Sequence, residues 1–112
     1  MRITKAQRES LKRATGQNKK VVFKYKGTTR RYNVGVVDDV VSVLMGDYHH
    51  LIQRIELTPK KQKEWKSRYA YRTCYYTLKA RSRKPAWGQF HPLIVGSGFR
   101  RLVRKAIKKG WT

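Results

Sequence analysis

Residues 19–34, KKVVFKYKGTTRRYNV, alternate with a period of two and break once, at Gly27. Successive side chains of a strand leave on opposite faces, and β-branched and aromatic residues suit that pleated surface. Val21, Phe23 and Tyr25 are therefore expected to share an inward face, and Val22, Lys24 and Lys26 an outward one. Lys26-Gly27-Thr28 falls where the two runs meet and reads as a hairpin turn. The stretch contains no acidic residue, so the outer face of this hairpin is cationic.

That imbalance runs through the whole chain. Among 112 residues there are 28 Lys+Arg and 6 Asp+Glu, a formal charge of +22. Self-repulsion of this size costs stability and is relieved when a polyanion docks. Nucleic acid is the default polyanion, because each neutralised phosphate also releases condensed counterions. Solubility alone asks for far less, a net charge of about 2–8 on a small domain. With 39% hydrophobic residues and 12% aromatics, the chain still carries enough apolar matter for one modest core.

The elements follow from caps, turns and periodicity. Thr4 and Gln7 form a capping box for an N-terminal helix that Gly16 would stop, with a thin apolar face of Ile3, Leu11 and Ala14. After the hairpin, Asp38-Asp39 reads as a tight turn, and VVSVLMG as a strand buried on both faces. Gly46-Asp47 makes another turn before HLIQRIEL, a strand ended by Pro59. KKQKEWKSR is a basic connector or short helix around Trp65, and YAYRTCYYTLKAR alternates as a strand. RSRKPAWGQFHP reads as a turn-rich loop. The last helix has Ser97 as N-cap and a stripe of Phe99, Leu102, Val103, Ala106 and Ile107, with Gly110 as its stop.

The expected architecture is α+β in a single domain over residues 1–112. A small curled sheet or barrel occupies about 19–59, and a strand, loop and basic amphipathic helix over 60–112 pack against it. Within 32–59 the only base is Arg54, set against Asp38, Asp39, Asp47 and Glu56, so this middle block is expected to be core and backside.

The helix RESLKRA followed by VVFKYKGTTRRYNV, VVSVLMGDY and HLIQRIEL resembles the Sm-like/SH3-like small barrels grouped with WYL domains, including their short phage-borne relatives. The resemblance covers residues 8–60 and implies an SH3/Sm-like barrel, with Arg54 at the family's Arg-Ile position. Val43-Leu44-Met45 stands where that family has its Trp-Tyr-Leu triplet, so the ligand sensing attached to the triplet is not carried over. The hairpin is also similar to the opening strands of small basic archaeal chromatin proteins with SH3-like barrels, which implies DNA binding without strong sequence preference.

Three constellations are candidate nucleic-acid contacts. Lys24, Lys26, Arg30 and Arg31 lie on one hairpin, whose backbone would fix their spacing against phosphates. Arg81, Arg83 and Lys84 precede Trp87 on a Pro-containing loop, where the ring would stack, wedge or plug the core. Arg100, Arg101, Arg104, Lys105, Lys108 and Lys109 cover the polar side of the last helix, with no Asn or Gln among them to read adenine. The stripe beneath is core, or alternatively a dimer interface, which leaves the oligomeric state open. Tyr69, Tyr71 and Tyr75 are either a stacking platform for single strands or a face buried against the last helix.

Other classes fare worse. His49, His50, His91 and Cys74 lack metal-ligand spacing, and no cofactor is implied. No carboxylates cluster as a two-metal nuclease requires, so an enzyme is not expected. A single cysteine, no apolar run near 18 residues and no secretory signal in the first twenty residues suit a cytoplasmic, nucleoid-associated protein without a membrane partner. The expectation is a non-enzymatic protein gripping the phosphates of nucleic acid, duplex DNA ahead of RNA, as a phage DNA-coating or transcription-modulating factor. An RNA-binding or ribosome-associated protein, and an inhibitor docking a host protein through the acidic middle block, are the alternatives.

Overall fold

Thr4 accepts from the Gln7 amide at 3.1 Å while the Gln7 side chain accepts from the Thr4 amide at 2.8 Å, and this capping box opens α1 (Lys5–Arg13). The computed structural model describes residues 4–78, 84–88 and 96–111. After α1 come β1 (Lys20–Lys24), β2 (Arg31–Met45), β3 (Tyr48–Leu57), α2 (Pro59–Trp65), β4 (Tyr69–Thr77), β5 (Ala86–Gly88) and α3 (Gly96–Lys108). The fold is the expected small α+β one, and its five strands make an antiparallel half-barrel sheet in chain order, β1-β2-β3-β4-β5. The chain groups into two compact units, Gly16–Val40 with Gln53–Arg72, and Met1–Thr15 with Val41–Ile52 and Thr73–Thr112.

The first of these is built on the β1–β2 hairpin. Its core is Val21, Val34, Val37, Ile55 and Leu57, with Phe23, Tyr32, Val40 and Ala70 packed around them. Lys20 faces Val36 and Lys24 faces Arg31, with a register shift at Val21/Val22. Gly27 takes φ 75° in the turn, a conformation open to glycine at little cost. Tyr25 lies beyond the end of β1 and is exposed, so the inward face consists of Val21 and Phe23 alone. Gly35 is required by contact: a Cβ there would stand 2.2 Å from the Glu56 carbonyl oxygen on β3.

Asp38 and Asp39 do not turn the chain. They sit inside β2, a continuous strand of 15 residues, because bonded partners offset the cost of carboxylates there. Arg54 pairs with Asp38, and Asp39 Oδ1 accepts from the Val40 amide at 2.9 Å. Beyond Leu57, Thr58 caps α2 by accepting from the Lys61 amide, Pro59 fills its first turn, and Lys66 closes it in the left-handed region at φ 53°.

In the second unit, α3 packs Leu102 on Val41 and Val43, with Met45, Ile52, Ala106 and Trp111 around them. The VVSVLMG segment alternates buried and half-buried residues and is not covered on both faces. The helix already includes Gly96, so Ser97 lies inside it and is not its N-cap. At the other end the Trp111 amide bonds the Ala106 carbonyl and the Gly110 amide bonds the Ile107 carbonyl, a Schellman close with Gly110 at φ 76°. The apolar stripe is only partly core: Leu102 is buried, whereas Phe99 and Ile107 are 55% and 69% exposed. The segment read as a turn-rich loop contains β5, whose Trp87 pairs across from Tyr76. The expected Ile3 contact lies outside the described residues.

Candidate nucleic-acid interface

The hairpin presents Lys24, Lys26, Arg30 and Arg31 to solvent, with no acidic partner among the described residues. The turn that carries them is internally braced. The Tyr25 amide donates to the Arg30 carbonyl at 3.0 Å, and the Thr28 hydroxyl donates to the Tyr25 carbonyl at 3.0 Å. These bonds fix where the cations emerge, which lowers the ordering cost of gripping a charged backbone.

Aromatic rings run between the cations of this unit. The Arg30 guanidinium lies 5.7 Å from the Tyr25 ring centre, and the Tyr25 and Tyr32 rings are 4.7 Å apart. Lys61 Nζ stands 4.8 Å from the Tyr32 ring and 5.2 Å from that of Trp65, and it also bonds Glu64 at 3.0 Å. Lys61 is thus a strut that seats α2 on the hairpin. Tyr25 and Trp65 remain 47% and 44% exposed, beside exposed Lys60, Lys63 and Lys66. An open ring next to ammonium and guanidinium groups offers a base a stacking face and its phosphate a counter-charge.

The four hairpin cations stand on exposed positions, as the sequence leads one to expect, whereas the Tyr25 ring beside Arg30 and the reach of Lys61 from α2 to the Tyr32 ring are not apparent from it. The spacing of Lys61 and Trp65, four residues apart on a helix, was the available signal. Nothing in the local sequence, however, joins that helix to the hairpin.

Arg54 plays a structural part. Its Nε and Nη2 hold Asp38, and its guanidinium lies 4.2 Å over the Tyr69 ring. The hydrogen bonds it donates to Asp38 raise its pKa above the ordinary arginine value. Arg68 covers Tyr69 as well, at 5.1 Å, and reaches Glu56 at 3.5 Å. Tyr69 is therefore capped by cations, while Tyr71 is exposed.

In the other unit, Arg100, Arg101, Arg104, Lys105 and Lys108 are all exposed on α3, and Lys109 is exposed just past its end. Two of them lean back onto β2: Lys105 Nζ donates to the Ser42 carbonyl, and Arg101 Nη1 approaches Met45 Sδ at 3.9 Å. Lys84 is exposed, and so is Trp87, at 44%, which rules out its plugging the core. Arg81 and Arg83 lie outside the described residues. Tyr75 contacts Tyr48, with ring centres 5.6 Å apart, and Tyr76 is buried.

The ionisable groups of this unit include two buried histidines, His49 and His50. His49 sets Nδ1 3.0 Å from the Ala14 carbonyl, and burial lowers its pKa below the ordinary value of 6.5. Among the described residues no three His, Cys, Asp or Glu side chains group to hold a metal ion, and no helix is long and apolar enough to cross a membrane. Comparison with known proteins finds no matching family model, no matching curated protein and no matching solved structure.

Proposed function

We propose that this protein is a non-catalytic nucleic-acid-binding module that grips phosphates, taking duplex DNA with weak sequence preference. One observation carries the reading. Lys24, Lys26, Arg30 and Arg31 stand exposed on a braced hairpin, with no acid among the described residues to neutralise them. A rigid twisted ribbon carrying cations at fixed spacing suits the backbone of a duplex, and phosphate contacts carry no sequence information. The likeness of the hairpin to small SH3-like chromatin proteins and of residues 8–60 to phage-borne WYL-type barrels points the same way, toward a DNA-coating or transcription-modulating role in a cytoplasmic nucleoid.

A second reading, single-stranded DNA or RNA, draws on the exposed rings of Tyr25, beside Arg30, and of Trp65, beside Lys61. Docking of a host protein through the acidic middle block draws less support, because Asp38 and Glu56 are engaged by Arg54 and Arg68.

The test is a competition titration of the whole protein against duplex DNA, single-stranded DNA and RNA of equal length at two salt concentrations. Tightest binding to duplex with a steep loss at higher salt supports the first reading. Clear preference for a single strand or RNA transfers the function to the second, and a flat salt response refutes a phosphate-driven mechanism altogether.

A further inference from the structure

α1 and α3 belong to the same unit, and between them lies a groove of about 410 Å³. Arg8 and Lys12 reach it from α1, one helical turn apart; Arg101 and Lys105 reach it from α3 with the same spacing. Four cations from two helices thus line one concavity, and no acid among the described residues lines it. Its floor is the 42–44 stretch of β2, together with His49. Glu9 approaches Lys12 at 3.9 Å, an exposed contact with one of the four cations that leaves the groove's excess positive charge in place.

The cations are held there by the fold. Lys105 Nζ is anchored on the Ser42 carbonyl of the floor, and Arg101 rests against Met45. The contact of His49 with the Ala14 carbonyl, immediately after α1, ties that helix to β3 and so positions Arg8 and Lys12. Holding like charges this close is costly unless an anion repays it. Arginine forks match the oxygens of a phosphate, and lysines add point charge, so a phosphate is the anion these four groups suit. A groove of this size falls in the range of small-ligand sites and exceeds what a bare phosphate ion fills.

We infer that the α1–α3 groove is a site for phosphate groups, either those of a nucleic-acid strand or those of a free nucleotide or polyphosphate. This rests on the nucleic-acid reading only in naming a strand as one source. The groove is separate from the hairpin cations in sequence and in unit, and its residues include Arg8 and Lys12, which belong to none of the three candidate constellations of the sequence.

The experiment is a titration of the whole ¹⁵N-labelled protein with inorganic pyrophosphate, with adenosine 5′-monophosphate and with a short single-stranded oligonucleotide, each against chloride at matched ionic strength. The site predicts saturable amide shifts centred on Arg8, Leu44, His49 and Arg101. Shifts that grow without saturating and spread evenly over all basic segments would overturn it, since that is the signature of a diffuse ion atmosphere. Arg8→Gln with Arg101→Gln should weaken pyrophosphate by about tenfold or more, as loss of two charge-assisted forks implies. Lys24→Gln with Lys26→Gln should leave it unchanged, and equal loss in both variants would also overturn the site. Saturation by the oligonucleotide at these same amides assigns the groove to a strand, and saturation by the two small probes alone assigns it to free phosphate compounds. If pyrophosphate saturates while no nucleic acid binds, the groove stands and the proposed function falls; nucleic-acid binding without groove shifts gives the reverse.

Discussion

Arg54 donates from Nε to Asp38 Oδ1 at 3.0 Å and from Nη2 to Asp38 Oδ2 at 3.1 Å, closing a two-pronged fork between β3 and β2. The same guanidinium covers the Tyr69 ring on β4 at 4.2 Å, so one side chain joins three strands of its unit. The fork lets an aspartate sit inside a strand where an unpaired carboxylate would favour a turn. Arg54→Ala should destabilise the protein by about 1–2 kcal/mol, since charge-assisted bonds contribute more than neutral ones but this pair keeps partial contact with water. Arg54→Lys should recover only part of that loss, because an ammonium neither forks nor stacks as well. Urea denaturation measures both, and nucleic-acid affinity measured on the folded variants should be unchanged.

Replacing Arg30 and Arg31 with alanine tests the hairpin. Binding should weaken for all sequences about equally, because phosphate contacts do not discriminate bases. For the unaltered protein, the log–log slope of affinity against salt should be roughly −5 or steeper if about six phosphates are neutralised. Each lost phosphate contact should flatten that slope by about one unit. Anisotropy titrations at several salt concentrations read both quantities. A loss confined to one sequence would indicate base readout.

Much of this was legible in the sequence because the determinants are local. The Thr4–Gln7 capping box, the Gly27 and Gly46 turns, the end of β3 before Pro59 and the Gly110 close each depend on a few adjacent residues. The errors share a cause as well. Asp38-Asp39 read as a turn because Arg54, sixteen residues away, is what satisfies Asp38. Tyr25 read as inward because alternation does not reveal where a strand stops, and β1 ends one residue earlier. The basic face of α3 was readable from period alone, whereas the groove it shares with Arg8 and Lys12 depends on bringing the two ends of the chain together.

Tyr25 and Trp65 distinguish ligand types. Replacing either with alanine should weaken single-strand binding by about 1–3 kcal/mol, the range for removing a base-stacking ring. Duplex affinity should change far less, because stacked bases in a duplex do not offer their faces. Parallel titrations of one variant with single-stranded and duplex DNA of the same sequence check this. Equal losses would mean that the rings only brace the hairpin.

Gly35 of β2 lies directly against the Glu56 backbone of β3. Gly35→Ala puts a Cβ 2.2 Å from the Glu56 carbonyl oxygen, and backbone cannot yield as a side chain would. The strands must separate locally, at a cost of about 1–3 kcal/mol or more. The midpoint of urea unfolding should fall, and β2–β3 amides near Gly35 should lose protection from hydrogen exchange. An unchanged midpoint would mean the strands part at no cost.

His49 makes stability depend on pH. Its pKa is lowered mainly by burial, and Lys105 lowers it further, while the Ala14 and Leu11 carbonyls partly offset both. The unfolded chain therefore binds a proton at this site more readily than the folded one. Its contribution is fully present above the unfolded value of about 6.5 and is lost as pH falls from there toward the folded value. Within that window stability should fall by up to about 1.4 kcal/mol per pH unit from this group. Urea unfolding between neutral pH and pH 5 measures the slope. His49→Gln, which keeps a polar group but cannot titrate, should flatten it. A slope of the same size in that variant would assign the effect to other groups, and a slope of opposite sign would mean that His49 carries its proton in the folded protein.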